Sequence, residues 1–115
     1  MIYHMAHAGD WHHAINTQSA YNGSADDLRD GFIHFSTAQQ IRVSAAKHRS
    51  GQRDLLLIAI DPIRLGDALQ WEASRDGALF PHLYGSVDPT SANAAVALPW
   101  DDTTGAHVFP EWLEA

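Results

Sequence analysis

The chain lacks cysteine and has few basic residues, and these two shortages exclude several classes of protein. With no Cys among its 115 residues, it can form neither disulfides nor thiolate metal sites. Seven Lys and Arg stand against fourteen Asp and Glu, a formal net charge of −7. The chain as a whole would therefore repel long stretches of nucleic-acid phosphate, although a small anionic ligand in a local basic pocket is not excluded.

Long apolar runs are also missing. The longest run, residues 55–60, is far too short to span a bilayer. The first ten residues include His4, His7 and Asp10, unlike the basic start and apolar core of a signal peptide. We expect a cytoplasmic protein with no membrane partner, and nothing in the sequence predicts its oligomeric state.

Apolar and aromatic residues are plentiful. The composition is 45% hydrophobic, with four Trp, four Phe and three Tyr, which is too apolar for a disordered chain. The length suits one hydrophobic core. We therefore predict a single folded domain over residues 1–115, with no internal linker or repeat.

Two helices are predicted, both in the first half. Trp11, Ala14 and Ile15 share one face at helical spacing. A second, clearer helix follows residues 36–39, where Ser36 and Gln39 have the spacing of a capping box, and it ends before Gly51. Between the two helices, residues 21–30 are polar and rich in turn residues, which predicts a loop that could act as a lid.

Strands are predicted in the remaining apolar segments. They cover residues 1–5, 31–35, 55–60 and 94–98, and a hairpin over 69–72 and 79–84. The continuous apolar run at 55–60 is typical of a central strand covered on both faces. The tail from residue 100 is predicted to be irregular. Strands outnumber helices and do not alternate with them, which predicts an α+β fold.

Three of the eight histidines lie in or beside short apolar strands. They are His4, His34 and His82. An imidazole in such a place must be hydrogen-bonded or face a cleft, and each taken alone is more often a buried structural group. Because they come from three separate segments, we predict a shared pocket that is suited to acid–base work or ligand binding.

Other polar residues near these segments are candidates too. Ser36 and Thr37 follow His34 at a predicted helix start, where free backbone N–H groups attract phosphate, although Ser36 could serve only as a cap. Glu72 could accept a proton and Tyr84 could stack on a ring, or both could belong to the rim. The histidine spacing matches no helical zinc signature, so no metal site is predicted.

Several strings resemble a bacterial family, domain-of-unknown-function family 952, in the same order over nearly the whole chain. They are IYH at 2–4, GFIHFST at 31–37, residues 54–61, WE at 71–72 and FPHLYG at 80–85. The resemblance implies an ADP-ribosyltransferase-like fold, a small split antiparallel sheet that holds a nicotinamide dinucleotide. It also implies a ribose contact at His4 and a second histidine at His34. The catalytic Glu of the transferases could only be Glu72 or a residue of the tail.

The leading hypothesis is a cleft that binds NAD or a related phosphorylated nucleotide, as a transferase or phosphotransferase. No cofactor is firmly implied, and NAD would be a substrate. The catalytic candidates are His34, His82 and Glu72, and the ligand-binding candidates are Tyr3, His4, Ser36, Thr37 and Tyr84. The alternatives are a non-enzymatic module that binds a small molecule or peptide, and a metal-dependent hydrolase built on His4, His34 and His82.

Overall fold

A computed structural model describes residues 1–74 and 76–113. Within these ranges, eight strands and three helices follow one another along the chain. In order, they are β1 Ile2–His7, α1 Ala8–Asn16, α2 Ala25–Asp30, β2 Ile33–His34, α3 Ile41–His48, β3 Leu55–Ile60, β4 Leu69–Ala73, β5 Leu79–Leu83, β6 Ala94–Leu98, β7 Trp100–Asp101 and β8 Ala106–His107. Short 3₁₀ helices precede β4 and β6, at Pro62–Ala68 and Pro89–Ser91.

The strands form two three-stranded antiparallel sheets and a short hairpin. The first sheet has the order β1-β3-β6, the second the order β2-β5-β4, and β7 pairs with β8. The two larger sheets meet where Tyr3 and Ser36 exchange backbone hydrogen bonds, 2.8 Å in each direction. The predicted α+β class is confirmed, as are the central position of β3 and the β4–β5 hairpin.

Alternation along β1 and β3 builds a core on each face of the first sheet. Ile2 and Ile58 pack on one side with Trp11 and Tyr21. On the other side, residues at the intervening positions pack against α3 and the tail; they are Tyr3, Met5, Leu55, Leu57 and Ala59. Because successive strand side chains point to opposite faces, the apolar run of β3 supplies both cores, and burying a side chain such as Leu57 contributes about 2 kcal/mol.

Two predictions about helices were wrong. The predicted loop at 21–30 contains α2, whose capping box joins Ser24 and Asp27. Its polar composition indicated a loop, yet the carboxylate at the third helical position satisfies the free amide that starts the helix. The predicted box of Ser36 and Gln39 does not form, since α3 begins at Ile41.

The residues before α3 make a similar contact one position later. The backbone N–H of Thr37 donates to Gln40 Oε1 at 3.0 Å. Ser36 belongs to the bridge between the sheets, and its hydroxyl donates to Ser44. The tail was predicted to be irregular, but it forms the β7–β8 hairpin.

Among residues 1–74 and 76–113, no helix is both long enough and apolar enough to cross a membrane.

Candidate functional site: a histidine and aromatic face on the second sheet

Period-two alternation gives the second sheet one buried face and one half-open face. Ile33, Pro81 and Leu83 are buried. At the intervening positions, polar and aromatic side chains lie on the half-open face; they are Phe32, His34, Glu72, His82 and Tyr84, called here the histidine face. The antiparallel register sets His34 directly opposite His82, so the two imidazoles become neighbours although 48 positions separate them in sequence.

Phe32 lies at the centre of this face. Its ring stacks on His82 with centroids 4.0 Å apart and lies 4.5 Å from His34 and 5.3 Å from Tyr84. The centroids of His34 and His82 are 5.8 Å apart. Phe32 was not among the predicted site residues, although its alternation with His34 in the GFIHF string signals a shared face.

Glu72 holds the two polar residues at one end of the histidine face. Its Oε1 atom accepts hydrogen bonds from His82 Nδ1 at 2.8 Å and from the Tyr84 hydroxyl at 2.6 Å. These bonds lower the pKa of Glu72, that from Tyr84 most, and the same contact raises the pKa of Tyr84. Because Nδ1 donates to the carboxylate, Nε2 is the acceptor nitrogen of neutral His82 and is suited to take a proton.

Asp27 holds the histidine at the other end. Its Oδ1 atom accepts from the His34 ring at 2.6 Å and from the His34 backbone N–H at 2.9 Å. The carboxylate of Asp30 lies 3.0 Å from His34 Nε2. The hydrogen bond to Asp27, together with the charges of Asp27 and Asp30, outweighs partial burial and raises the pKa of His34. His34 is thereby biased towards the imidazolium form.

Asp27 itself is fully buried and anchors α2 to the second sheet. Its Oδ2 atom accepts from the backbone N–H of Ser24 at 2.7 Å and from the Ser24 hydroxyl at 3.0 Å. Burial alone would raise the pKa of Asp27, but the hydrogen bonds from His34 and Ser24 hold it well below its usual range. Gly23 is required beside it, since an added Cβ would lie 2.6 Å from Asp27 Cβ.

His4 lies beneath the histidine face and not in it. The ring is buried, with Nδ1 2.7 Å from the His34 carbonyl and Nε2 2.6 Å from the Tyr21 hydroxyl. A carbonyl only accepts, so Nδ1 carries the proton and Nε2 accepts from Tyr21. Burial lowers the pKa of His4, so the 4.0 Å approach to Asp27 involves a neutral ring. Burial and Asp27 raise the pKa of Tyr21 and keep its hydroxyl protonated.

The structure therefore brings four of the eight predicted site residues together, and they are His34, Glu72, His82 and Tyr84. Tyr3 packs in the core on the opposite side of β1 from His4, with its ring 6.4 Å from that of Trp112. The backbone N–H groups of Ser36 and Thr37, which were expected to attract phosphate, donate to the Tyr3 carbonyl and to Gln40.

A depression of about 250 Å³ adjoins the histidine face. Phe32 and Asp27 belong to its lining, together with Asn22, Leu28, Gly31, Ile33 and Gly85. This volume is slightly below the roughly 300–1,000 Å³ of pockets that hold drug-sized ligands. The aromatic face and the depression could share one ligand, with Phe32 as the common wall.

Metal binding has no prepared ligand set here. In residues 1–74 and 76–113, no cluster of three or more His, Cys, Asp or Glu side chains is arranged to hold a metal ion. Both nitrogens of His4 are engaged, so the three predicted histidines do not converge on one point.

Comparisons with known proteins agree with this architecture. The crystal structure of protein CC0527 from Caulobacter crescentus is 40% identical, with a TM-score of 0.85 over 93% of this chain and 92% of that chain. Its solution NMR structure is 41% identical, with a TM-score of 0.77 over 91% and 89% of the two chains. No curated protein matches the chain. The family model described as "Protein of unknown function (DUF952)" matches residues 5–98, and the chain belongs to this family.

Proposed function

We propose that the histidine face binds the nicotinamide end of NAD or a closely related dinucleotide and supplies acid–base groups for transfer of its ADP-ribosyl part. The observation that carries the proposal is the pair of neighbouring, partly exposed imidazoles in different electrostatic settings. His34 is held between two carboxylates, whereas His82 has one carboxylate partner. Such a pair can offer a proton donor and a proton acceptor to one ligand.

The charges around the face favour a cationic ring over a phosphate. Asp27 and Asp30 contact the imidazole of His34, and Glu72 contacts that of His82. The nearby cation Arg29 already pairs with Asp26 and Asp30. An oxidised nicotinamide ring is positively charged, so it gains from these carboxylates and from stacking on aromatic rings. A 2′-phosphate placed here would be repelled by these carboxylates. Phosphotransfer is therefore the less favoured of the two proposed activities.

In the proposed reaction, the bond between ribose and nicotinamide breaks and a bond from ribose to an acceptor oxygen or nitrogen forms. Nicotinamide leaves with the bonding electron pair. The proton of the acceptor goes to His82 Nε2, and Glu72 stabilises the imidazolium that results. Protonated His34 keeps its Nδ1–H on Asp27 and turns its Nε2–H from the exposed carboxylate of Asp30 to the ligand, and Phe32 and Tyr84 provide the stacking surface.

The remaining predicted residues take supporting roles in this proposal. His4 positions the backbone carbonyl of His34 instead of gripping a ribose. The ADP-ribosyltransferase-like fold that the sequence resemblance implies adds support of a weaker kind, because one fold hosts many functions.

Isothermal titration with NAD, ADP-ribose and a 2′-phosphorylated oligonucleotide tests the proposal. We expect NAD to bind more tightly than ADP-ribose or the oligonucleotide. His34→Ala and His82→Ala should each reduce the affinity for NAD by about tenfold or more, which corresponds to about 1.4 kcal/mol of binding free energy. His12→Ala, at an exposed position on α1, is the matched control and should bind as the wild type does.

The alternative outcomes have distinct meanings. Absence of NAD binding, or equal binding by all three variants, would overturn the proposal. Tighter binding of the 2′-phosphorylated oligonucleotide would favour the phosphotransferase. NAD binding without release of nicotinamide in the presence of acceptor nucleophiles would make the protein a binding module.

A further inference from the structure

A second cavity lies between α3 and the chain after β6. None of the residues that line it belongs to the histidine face. Its volume is about 220 Å³. The helix contributes Arg42, Ala45 and Ala46, and the tail contributes Trp100, Ala106, His107 and Phe109. All four tail residues lie beyond the stretch that the family model matches, so membership of the family does not account for this cavity.

Arg42 gives the cavity a positive group that forms no ion pair with an acidic side chain in the described residues, 1–74 and 76–113. Arg29, Arg49 and Arg53 each pair with an aspartate. In contrast, Arg42 forms no ion pair with any residue in 1–74 or 76–113. Its guanidinium carbon lies 5.3 Å from the centroid of the Phe109 ring. This cation–π contact holds the guanidinium over the cavity while its N–H donors remain available.

The opposite wall is aromatic. His107 is buried, and its Nε2 donates to the Gln52 carbonyl at 2.8 Å, since a carbonyl only accepts. The ring of His107 packs edge-on against Trp100, with centroids 4.9 Å apart. Two tail carboxylates next to Trp100 in sequence are engaged elsewhere: Asp102 accepts from Arg53 and from the Trp100 indole, and Asp101 accepts from the Thr103 backbone.

We propose that this cavity binds a small aromatic carboxylate. The carboxylate would pair with the planar fork of Arg42, and the ring would pack between Phe109, Trp100 and the small side chains Ala45, Ala46 and Ala106. The volume is below that of pockets for drug-sized ligands, roughly 300–1,000 Å³, which limits the ligand to about one substituted ring. The proposal is independent of NAD binding at the histidine face.

Benzoate, with neutral benzamide as its isosteric partner, tests this assignment by ¹H–¹⁵N NMR titration. We expect benzoate to cause saturable shifts in the amides of Ala45, Ala46 and Ala106. Benzamide should bind at least tenfold more weakly, and Arg42→Gln should reduce benzoate affinity by at least tenfold. Arg64→Gln is the matched control, because Arg64 is equally exposed but lies outside the cavity lining.

Ala46→Leu provides a second test that keeps the charge of Arg42. The larger side chain would occupy the cavity, so benzoate binding should be lost while unfolding remains cooperative, since Ala46 is exposed on α3. Equal affinity for benzoate and benzamide, unchanged binding by Arg42→Gln, or shifts that do not map to the cavity would overturn the proposal.

Discussion

Two carboxylate–histidine pairs lie side by side on the second sheet, and they differ in how deeply they are built into the fold. Asp27 meets His34 at 2.6 Å and Glu72 meets His82 at 2.8 Å, in both cases through Nδ1. Asp27 is 1% exposed and also accepts from Ser24 and from the His34 backbone. The Glu72 side chain is 42% exposed, and within residues 1–74 and 76–113 its other hydrogen-bond donor is Tyr84.

Because of this difference, the Asp27–His34 pair is part of the packed structure, whereas the Glu72–His82 pair is open to solvent. Asp27 joins α2, β2 and the buried His4 and Tyr21, so changing it disturbs the packing of several elements. Glu72 is on an edge strand and faces solvent. We infer that the Asp27 network fixes the position and charge of His34, whereas the Glu72 pair can exchange protons without disturbing the fold.

Asp27→Asn should cause the largest loss in the free energy of unfolding. The amide cannot accept from all the donors that surround Asp27 and presents its own N–H₂ group to them, and the buried charge that stabilises His34 is lost. We expect a loss of about 3 kcal/mol in the free energy of unfolding, as for other broken buried pairs. Urea unfolding followed by circular dichroism measures it.

The control for that variant is Asp30→Asn, which removes the exposed carboxylate on the same histidine. Its effect on the free energy of unfolding should be far smaller, because surface ion pairs contribute little. Losses of similar size in the two variants would contradict the structural role of Asp27.

Tyr21→Phe and Tyr84→Phe remove one hydroxyl from each region. Loss of the Tyr21 hydroxyl leaves His4 Nε2 buried without a donor, and we expect it to cost about 1–2 kcal/mol of stability. Tyr84 is 47% exposed, so water can replace its hydroxyl beside Glu72. Thermal unfolding should therefore separate the two variants, and a larger loss in Tyr84→Phe would reverse the comparison.

The pH dependence of stability isolates the contribution of His34. Because folding raises the pKa of His34, the stabilisation is fully present below the unfolded pKa of about 6.5 and is lost as the pH rises through the folded pKa. The free energy of unfolding of the wild type minus that of His34→Gln should thus decrease above pH 6.5. Buried His4, whose pKa is lowered mainly by burial, acts in the opposite direction and is present in both proteins. A difference that does not change with pH would show that His34 is not stabilised as a cation.

Glu72→Gln should have the smallest effect on stability and a clear effect on the proposed ligand. The exposed side chain lies on β4, at the edge of the sheet, so the midpoint of unfolding should stay close to that of the wild type. NAD affinity should fall about tenfold, since the amide no longer offers His82 a charged acceptor. Titration of the folded variant measures this, with Gln70→Glu, on the same strand and face, as a control for added charge.

Much of the fold could be predicted from the sequence because its strands carry strong local signals. The continuous apolar run of β3 and the paired segments at 69–72 and 79–84 correctly predicted the central strand and the hairpin. The helix α2 was missed, since its stability depends on one buried carboxylate, and Asp27 looks like any other polar loop residue in a single sequence.

The candidate site was predicted in part for the same reason. Alternation placed Phe32 and His34 on one face, and the register then brought His82 and Glu72 to them. Burial is what the sequence did not reveal. His4 was therefore predicted to lie in the cleft, whereas in the structure its ring is buried and contacts Tyr21 and the His34 carbonyl.

Side-chain ¹⁵N NMR of the imidazoles across pH 5 to about 9, where histidines titrate, tests the division between the two regions most directly. We predict that on acidification His34 takes up its proton above pH 6.5 and before His4 does, and that neutral His4 carries its proton on Nδ1. Protonation of His4 before His34 on acidification, or a proton on Nε2 of neutral His4, would contradict it.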